Sequence, residues 1–333
     1  VAAPSSTPAG PHAVPVSRWL PGMLGLAAIW GSSFLFIKVG VSALHPLYVA
    51  FGRVASGAVA LLLVLAVLRQ GLPRDRVLWL HNAFIGVVGT VLPFSLFAFG
   101  ERHIDSLLAG IWNSTTPLIV LPMAVLVFRT EHLTVRRTVG LTLGFVGALV
   151  ILGIWHGADG TSVAGQLMCL AAACCYGVAI PYTKRFIAPR PESGLVMSTC
   201  QLLVASVVLA VAAPLITGTV PHPDALPWQV VASVLLLGAV GTGFAFIVNM
   251  RNIRLVGAST ASMVTYIIPV FAVLVGVLVL DEHLTWYQPV GAGIVLAGVA
   301  VSQGLLSRRP SALALTDGAA APTEACSATG PVD

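Results

Sequence analysis

Apolar residues fall in long, nearly unbroken runs, divided by short stretches that collect the charges. A helical residue advances about 1.5 Å, so a run of about 20 residues is needed to cross a hydrocarbon core about 30 Å thick. Measured this way, the chain predicts ten membrane-spanning helices, near residues 20–38, 47–68, 78–99, 104–127, 138–155, 163–182, 194–214, 229–250, 256–280 and 286–306. The strict alternation that a membrane barrel requires is absent from these runs. The expected fold class is therefore all-α and integral to a membrane.

Composition sharpens that reading. Of 333 residues only 9% are charged and 57% are apolar, against about 25% charged in an ordinary soluble domain. So few charges cannot cover a water-facing surface, and so much Leu, Val and Ala excludes a disordered chain. The stretch before residue 20 holds Pro4, Pro8, Pro11 and Pro15 and no basic residue before Arg18, unlike a secretory signal. Residues 1–19 and 307–333 read as flexible tails. Cys169, Cys174, Cys175, Cys200 and Cys326 form no C-x-x-C pair and read as inert packing residues.

The net charge of +5 suggests nucleic acid until the basic residues are placed. Fourteen of the 17 fall on one side of the ten-span partition, from Arg18 through Arg69, Arg129, Arg190 and Arg251 to Arg309. Basic loops stay in the cytoplasm, so both termini are expected there, and the charge is a topology signal. Trp19, Trp79, Trp155, Trp228 and Trp286 fall near span ends, where an amphipathic ring suits the headgroup region. Trp30 and Trp112 fall near mid-span and need another explanation.

The two halves of the chain repeat. Pro117 leads to Glu131-His132-Leu133-Thr134, with Gly140 and Gly147 beyond; Pro269 leads to Glu282-His283-Leu284-Thr285, with Gly291 and Gly298 beyond. Trp30-Gly31 and Lys38 correspond likewise to Tyr176-Gly177 and Lys184. Five spans per half is an odd number, so the second copy enters the membrane in the opposite sense. Inverted repeats characterise secondary transporters, whose substrate site lies at the repeat interface near the midplane. The expected units are residues 20–155 and 156–306.

The stretch Ile29-Trp30-Gly31-Ser32-Ser33-Phe34 through Lys38, Gly52-Arg53, and the paired Pro…Glu-His-Leu-Thr…Gly blocks resemble the EamA family of the drug/metabolite transporter superfamily. The resemblance covers residues 20–306. It implies a bacterial inner-membrane carrier of ten helices in two five-helix repeats, exporting amino acids, related metabolites or toxic compounds, with import the alternative direction.

Arg53 lies inside a span, where an ionisable side chain is a functional candidate by default. Two roles are open to it: pairing with a substrate carboxylate, or holding backbone carbonyls to fix helix packing. Its repeat partner is Gln201. Trp30, Trp112, Asn113 and Thr116 in the first half, and Tyr176, Thr265 and Tyr266 in the second, supply aromatic walls and polar groups suited to a small amphipathic ligand. Phe94 and Asn249 are added to this cavity set, and His81 more weakly. Lys38, Lys184, Glu131 and Glu282 sit at span ends as gate candidates or as interfacial anchors and helix corners. Thr134 and Thr285 are placed to cap the helices that follow, the latter in a capping box with Gln288.

No paired acids, no mid-span histidine beside a nucleophile, no H-E-x-x-H and no phosphate-binding loop occur, so neither an enzyme nor an ATP-driven pump is expected. No metal and no cofactor is expected either. Proton coupling lacks a mid-span carboxylate and would fall to Glu101, Asp105, His103 or the substrate. The expected partners are a small-molecule substrate, the lipid bilayer and a second copy of the chain as a homodimer, without nucleic acid.

Overall fold

Backbone N–H and C=O groups in hydrocarbon have no water to pair with, so apolar runs of this length form helices that satisfy them internally. The computed structural model describes residues 15–104, 106–151, 154–156, 162–221, 226–279 and 285–303, and helices account for most of them. In chain order these are α1 (Val16–Val41), α2 (Pro46–Val67), α3 (Arg76–Gly100), α4 (Ser106–Asn113), α5 (Thr116–Val127), α6 (Val135–Ile151), α7 (Val163–Ile187), α8 (Gly194–Thr217), α9 (Trp228–Val256), α10 (Ala258–Ser262), α11 (Val264–Val279) and α12 (Tyr287–Gln303). Among the described residues, α2, α3, α7, α8 and α9 are each long and apolar enough to cross a membrane. The chain is thus a multi-pass membrane bundle.

Local signals set the helix ends. Asp75, Ser162 and Ser193 cap α3, α7 and α8 by accepting from Val77, Gly165 and Val196 N–H. Thr134 accepts from Arg137 N–H, and Gln288 reaches back to Thr285 N–H. Gly218, at φ +68°, closes α8, and Gly257, at φ +85°, closes α9; both conformations favour glycine. Large apolar side chains such as Leu63, Val67, Leu126 and Leu215 face outward, as a lipid-facing surface requires. Trp155, Trp228 and Trp286 are exposed at helix ends, but Trp19 is 2% exposed and packs into the interior.

The halves of the chain interlock. One apolar core joins α1, α5, α6, α11 and α12 through Met23, Leu26, Leu141, Tyr266 and Val295. A second joins α2, α3 and α8 through Val54, Leu61, Phe94, Leu202 and Leu209. Both draw on elements from each half, and α2 packs against α9 as well as α8.

The closest helix pairing is α6 with α12, which run antiparallel. A Cβ added at Gly140 would stand 2.5 Å from Ser302 N, at Gly147 2.6 Å from Val295 N, and at Gly291 2.6 Å from Ile151 N. The repeated glycines of the two halves thus face one another, and with no side chain between them the backbones touch.

Several hydrogen bonds and ion pairs gather the arginine-rich loops at one end of the bundle. Arg190 pairs with Asp75 at 3.2 Å, Arg254 donates to the carbonyls of Arg190 and Glu192, and Arg251 donates to the carbonyl of Arg18. The opposite end carries the α1–α2 corner. There His45 caps α2 by accepting from Leu47 N–H through Nδ1, and its ring meets Phe99 edge-on. Partial desolvation, and secondarily the charge of Arg102, lower its pKa from the usual 6.5.

Two predictions follow from this packing. Gly147→Ala should lower thermal stability, because overpacking a tight contact costs about 1–3 kcal/mol. Gly293→Ala, on the same helix pair but with nothing within 4 Å, should leave stability unchanged or raise it slightly; equal losses at the two sites would refute the contact. A base whose folded pKa is lowered stabilises above its unfolded value, and that contribution is lost as pH falls through the folded value. Wild type should therefore lose thermal stability relative to His45→Asn between about pH 7.5 and about pH 5, measured by parallel melts; parallel curves would exclude His45.

Candidate functional site

A cavity of about 140 Å³ lies inside the bundle, walled by every element except α6 and α12. That is below the about 300–1,000 Å³ of pockets that engulf drug-sized ligands, so it suits a small one. Its wall is mainly apolar and aromatic, with Trp30, Phe94, Phe97, Tyr176 and Phe246. Among the described residues, Arg53 and Glu101 are its two charged ones.

The geometry around Arg53 begins with the backbone of α9. Residues Ala239–Phe244 form a π-helical turn, whose wider hydrogen bonding releases carbonyls from the regular ladder. Gly241 O accepts from Trp30 Nε1 at 3.0 Å and, at 3.5 Å, from Arg53 Nη2. Thr242 Oγ1 donates to Leu237 O at 3.0 Å and accepts from Arg53 Nε at 2.7 Å. The guanidinium carbon stands 3.8 Å from the centre of the Phe94 ring, a cation–π contact worth about 2 kcal/mol when desolvated. Arg53 is 8% exposed, held by α9 on one side and α3 on the other.

The same arrangement recurs in α3, at the π-helical turn Val87–Val91. There Gln201 Nε2 donates to Thr90 Oγ1 at 2.9 Å. Gly86 abuts the carbonyl of Gln201, its would-be Cβ 3.1 Å away, as Gly238 abuts the carbonyl of Arg53 at 2.5 Å. Gly89 abuts Ala179 and Gly241 abuts Ser33, and Ser33 and Ala179 occupy corresponding places after Trp30 and Tyr176. Thus α2 is clasped to α9, and α8 to α3, by matched sets of residues.

Opposite Arg53, the helices are interrupted near proline. Before Pro117 the backbone tightens, with Thr115 N–H donating to Trp112 O and Leu118 N–H to Thr115 O. Before Pro269, Met263 N–H donates to Thr260 O and Tyr266 N–H to Met263 O. Proline has no N–H, so the carbonyls of Asn113 and Thr265 lose their helical donors; both residues line the cavity. Thr116 Oγ1, also on the wall, is buried without a hydrogen-bond partner among the described residues. The cavity therefore offers a cation with donors, carbonyl and hydroxyl oxygens, and aromatic faces.

Of the ten residues expected around a cavity, Trp30, Arg53, Phe94, Asn113, Thr116, Tyr176, Asn249 and Thr265 line it. Trp112 does not: it packs beside Phe97, Ile104 and Cys169. Tyr266 is fully buried on the other side of its helix, against Gly144. His81 also lies off the wall, with Nδ1 2.7 Å from the Tyr182 hydroxyl and its ring stacked on Phe186. Wall residues outside the expected set include Ser33, Phe97, Glu101, Gln201 and Ser262. Aligning Gly86-x-x-Gly89-Thr90 with Gly238-x-x-Gly241-Thr242 would have found the clasp, and Gln201 with it.

Two of the gate candidates lie at the arginine-rich end. Glu131 Oε1 accepts from Ser259 N–H at 2.9 Å, and its Oε2 pairs with Arg137 at 3.1 Å. Lys184 Nζ donates to the carbonyls of Ile253 and Arg254 at the C-terminus of α9, at 3.1 and 3.3 Å, where the helix dipole favours a cation. Both side chains grip the junction at Gly257. Glu282 and the side chain of Lys38 lie outside the described residues.

The sequence pattern of the EamA-like transporter family matches residues 17–153 and, separately, residues 163–303. The uncharacterized transporter YoaV of Bacillus subtilis (strain 168) is 28% identical over 289 residues, covering 86% of this chain and 97% of that protein. The uncharacterized inner membrane transporter YedA of Escherichia coli (strain K12) is 26% identical, covering 83% of this chain and 88% of its own length. Protein PecM of Dickeya dadantii (strain 3937) is 22% identical, covering 84% and 91%. A crystal structure 19% identical in sequence shares the fold, with a TM-score of 0.71 over 88% of this chain and 98% of that one. The chain belongs to the EamA-like transporter family of the drug/metabolite transporter superfamily, and is a secondary carrier of small molecules across a membrane rather than an enzyme.

Proposed function

We propose that the chain exports a small amino-acid-like or amphipathic metabolite across a bacterial inner membrane by alternating access, with ten spans in two inverted halves, residues 20–155 and 156–306. The observation that carries this reading is the clasp made twice, Arg53 to Thr242 and Gln201 to Thr90, with the cavity between. The antiparallel contact of α6 with α12 at matched glycines supports the inversion, since corresponding helices of a direct repeat would run parallel.

In this cycle the cavity opens first to one face and then to the other as one set of helices rocks against the rest. The arginine-rich end, with both termini, faces the cytoplasm. Glu131 and Lys184 hold that end shut, and Glu282 and Lys38 take the corresponding part at the other end. A substrate amine meets the carbonyls of Asn113 and Thr265, while its apolar body lies on the aromatic wall. Inner-membrane placement is supported by the description of YedA.

Cells overproducing the protein, challenged with toxic amino-acid analogues, purines and cationic drugs, test the direction. Export predicts tolerance of at least one compound together with lower intracellular accumulation of it. Heightened sensitivity with faster uptake would replace export by import, and no change in flux for any compound would contradict the proposal.

A further inference from the structure

The two clasps differ in one respect. At position 201 a neutral amide bonds the threonine of the π-helical turn; at position 53 a guanidinium does so. Both side chains are buried, at 9% and 8% exposure, and each backbone carbonyl abuts the corresponding glycine. The packing task therefore needs a donor and no charge. Burying a cation is costly where a neutral group would serve, so the charge at Arg53 is surplus to the structural role.

The unused part of that side chain points to what the charge serves. Arg53 Nε is committed to Thr242, and Nη2 reaches Gly241 O only at the 3.5 Å limit. Nη1 has no acceptor among the described residues, while the guanidinium face rests on Phe94. Ion pairs among the described residues join Arg137 to Glu131 and Arg190 to Asp75, and Arg53 is in neither. Glu101, on the same cavity wall, acts on Arg53 through its charge without touching the guanidinium, whose open donors stay available. A buried, planar fork with open donors on a cavity wall matches a bidentate oxyanion.

We propose that Arg53 is the head-group site of the carrier, receiving the carboxylate, or another oxyanion of the same reach, of a substrate whose apolar body lies along Trp30, Phe94 and Tyr176. This rests on reading the cavity as the carrier's substrate site. Gln201, its counterpart, keeps only the packing function.

The test uses the purified full-length protein and four probes of similar body: 3-phenylpropionate, phenyl phosphate, phenethylamine and 3-phenylpropan-1-ol. Ligand-dependent melting should show that wild type prefers an oxyanion to the amine and the alcohol, and the two oxyanions distinguish carboxylate from phosphate. Arg53→Gln should fold, since glutamine already serves at position 201, and should lose oxyanion affinity roughly 10- to 100-fold, the range for a charge-assisted hydrogen bond. Arg53→Lys should keep the preference at reduced affinity, which preserves the test if the glutamine variant misfolds. Thr242→Val should lower stability and leave the preference for oxyanions intact.

Undiminished preference in Arg53→Gln, abolished preference in Arg53→Lys, equal affinity of wild type for acid and alcohol, or no oxyanion binding would each overturn the proposal. Arg53-dependent binding with no flux of the bound probe into vesicles would instead count against the transporter reading, leaving the site standing.

Discussion

Hydrocarbon gives a released backbone carbonyl no water to turn to, and this constraint organises the centre of the molecule. The π-helical turn in α9 releases such groups beside the cavity. Trp30 Nε1 answers Gly241 O, and Thr242 bridges Leu237 O to Arg53 Nε. Three helices, α1, α2 and α9, are thereby held at one point, and the aromatic and polar wall is assembled around it. The corresponding turn in α3 takes Gln201 in the same way.

Glycine lets these attachments form. Gly238 and Gly86 bring α9 onto α2 and α3 onto α8, close enough for side chains of modest length to reach a threonine across the interface. Outside the cavity, α6 and α12 meet backbone to backbone, and among the described residues neither contributes to its wall. The bundle thus divides into a tightly packed pair and a set of helices around a cavity. In the proposed cycle the former is the natural scaffold and the latter the moving part. The grip of Glu131 and Lys184 on the Gly257 junction involves three ion–dipole contacts and one partly exposed ion pair, contacts of modest strength that a rocking motion can exchange.

Much of this was legible in the sequence because a bilayer demands long apolar runs, and their placement followed. The expected spans at 47–68 and 194–214 differ from α2 and α8 by only a few residues at either end. The spans at 104–127 and 256–280 instead carry broken helices, α4–α5 and α10–α11, although Pro117 and Pro269 marked the places. What failed was the choice of helix face. Trp112 and Tyr266 share sequence neighbourhoods with Asn113 and Thr265, but one residue is about 100° of helical rotation, enough to turn a side chain from cavity to core. Glu101 fell at a span end and entered only as a candidate for proton coupling, although the end of α3 carries it into the wall. The π-helical turns have no compositional signature beyond their glycines, so the clasp depended on geometry.

In the proposed cycle the cavity opens through the arginine-rich end by separation of Glu131 from Ser259. A carrier stripped of its native cysteines, with Glu131→Cys and Ser259→Cys joined by a short reducible thiol crosslinker, tests this in vesicles. The account predicts that the crosslinked protein remains folded and loses flux, and that reduction restores it. Full flux with the crosslink in place would contradict it.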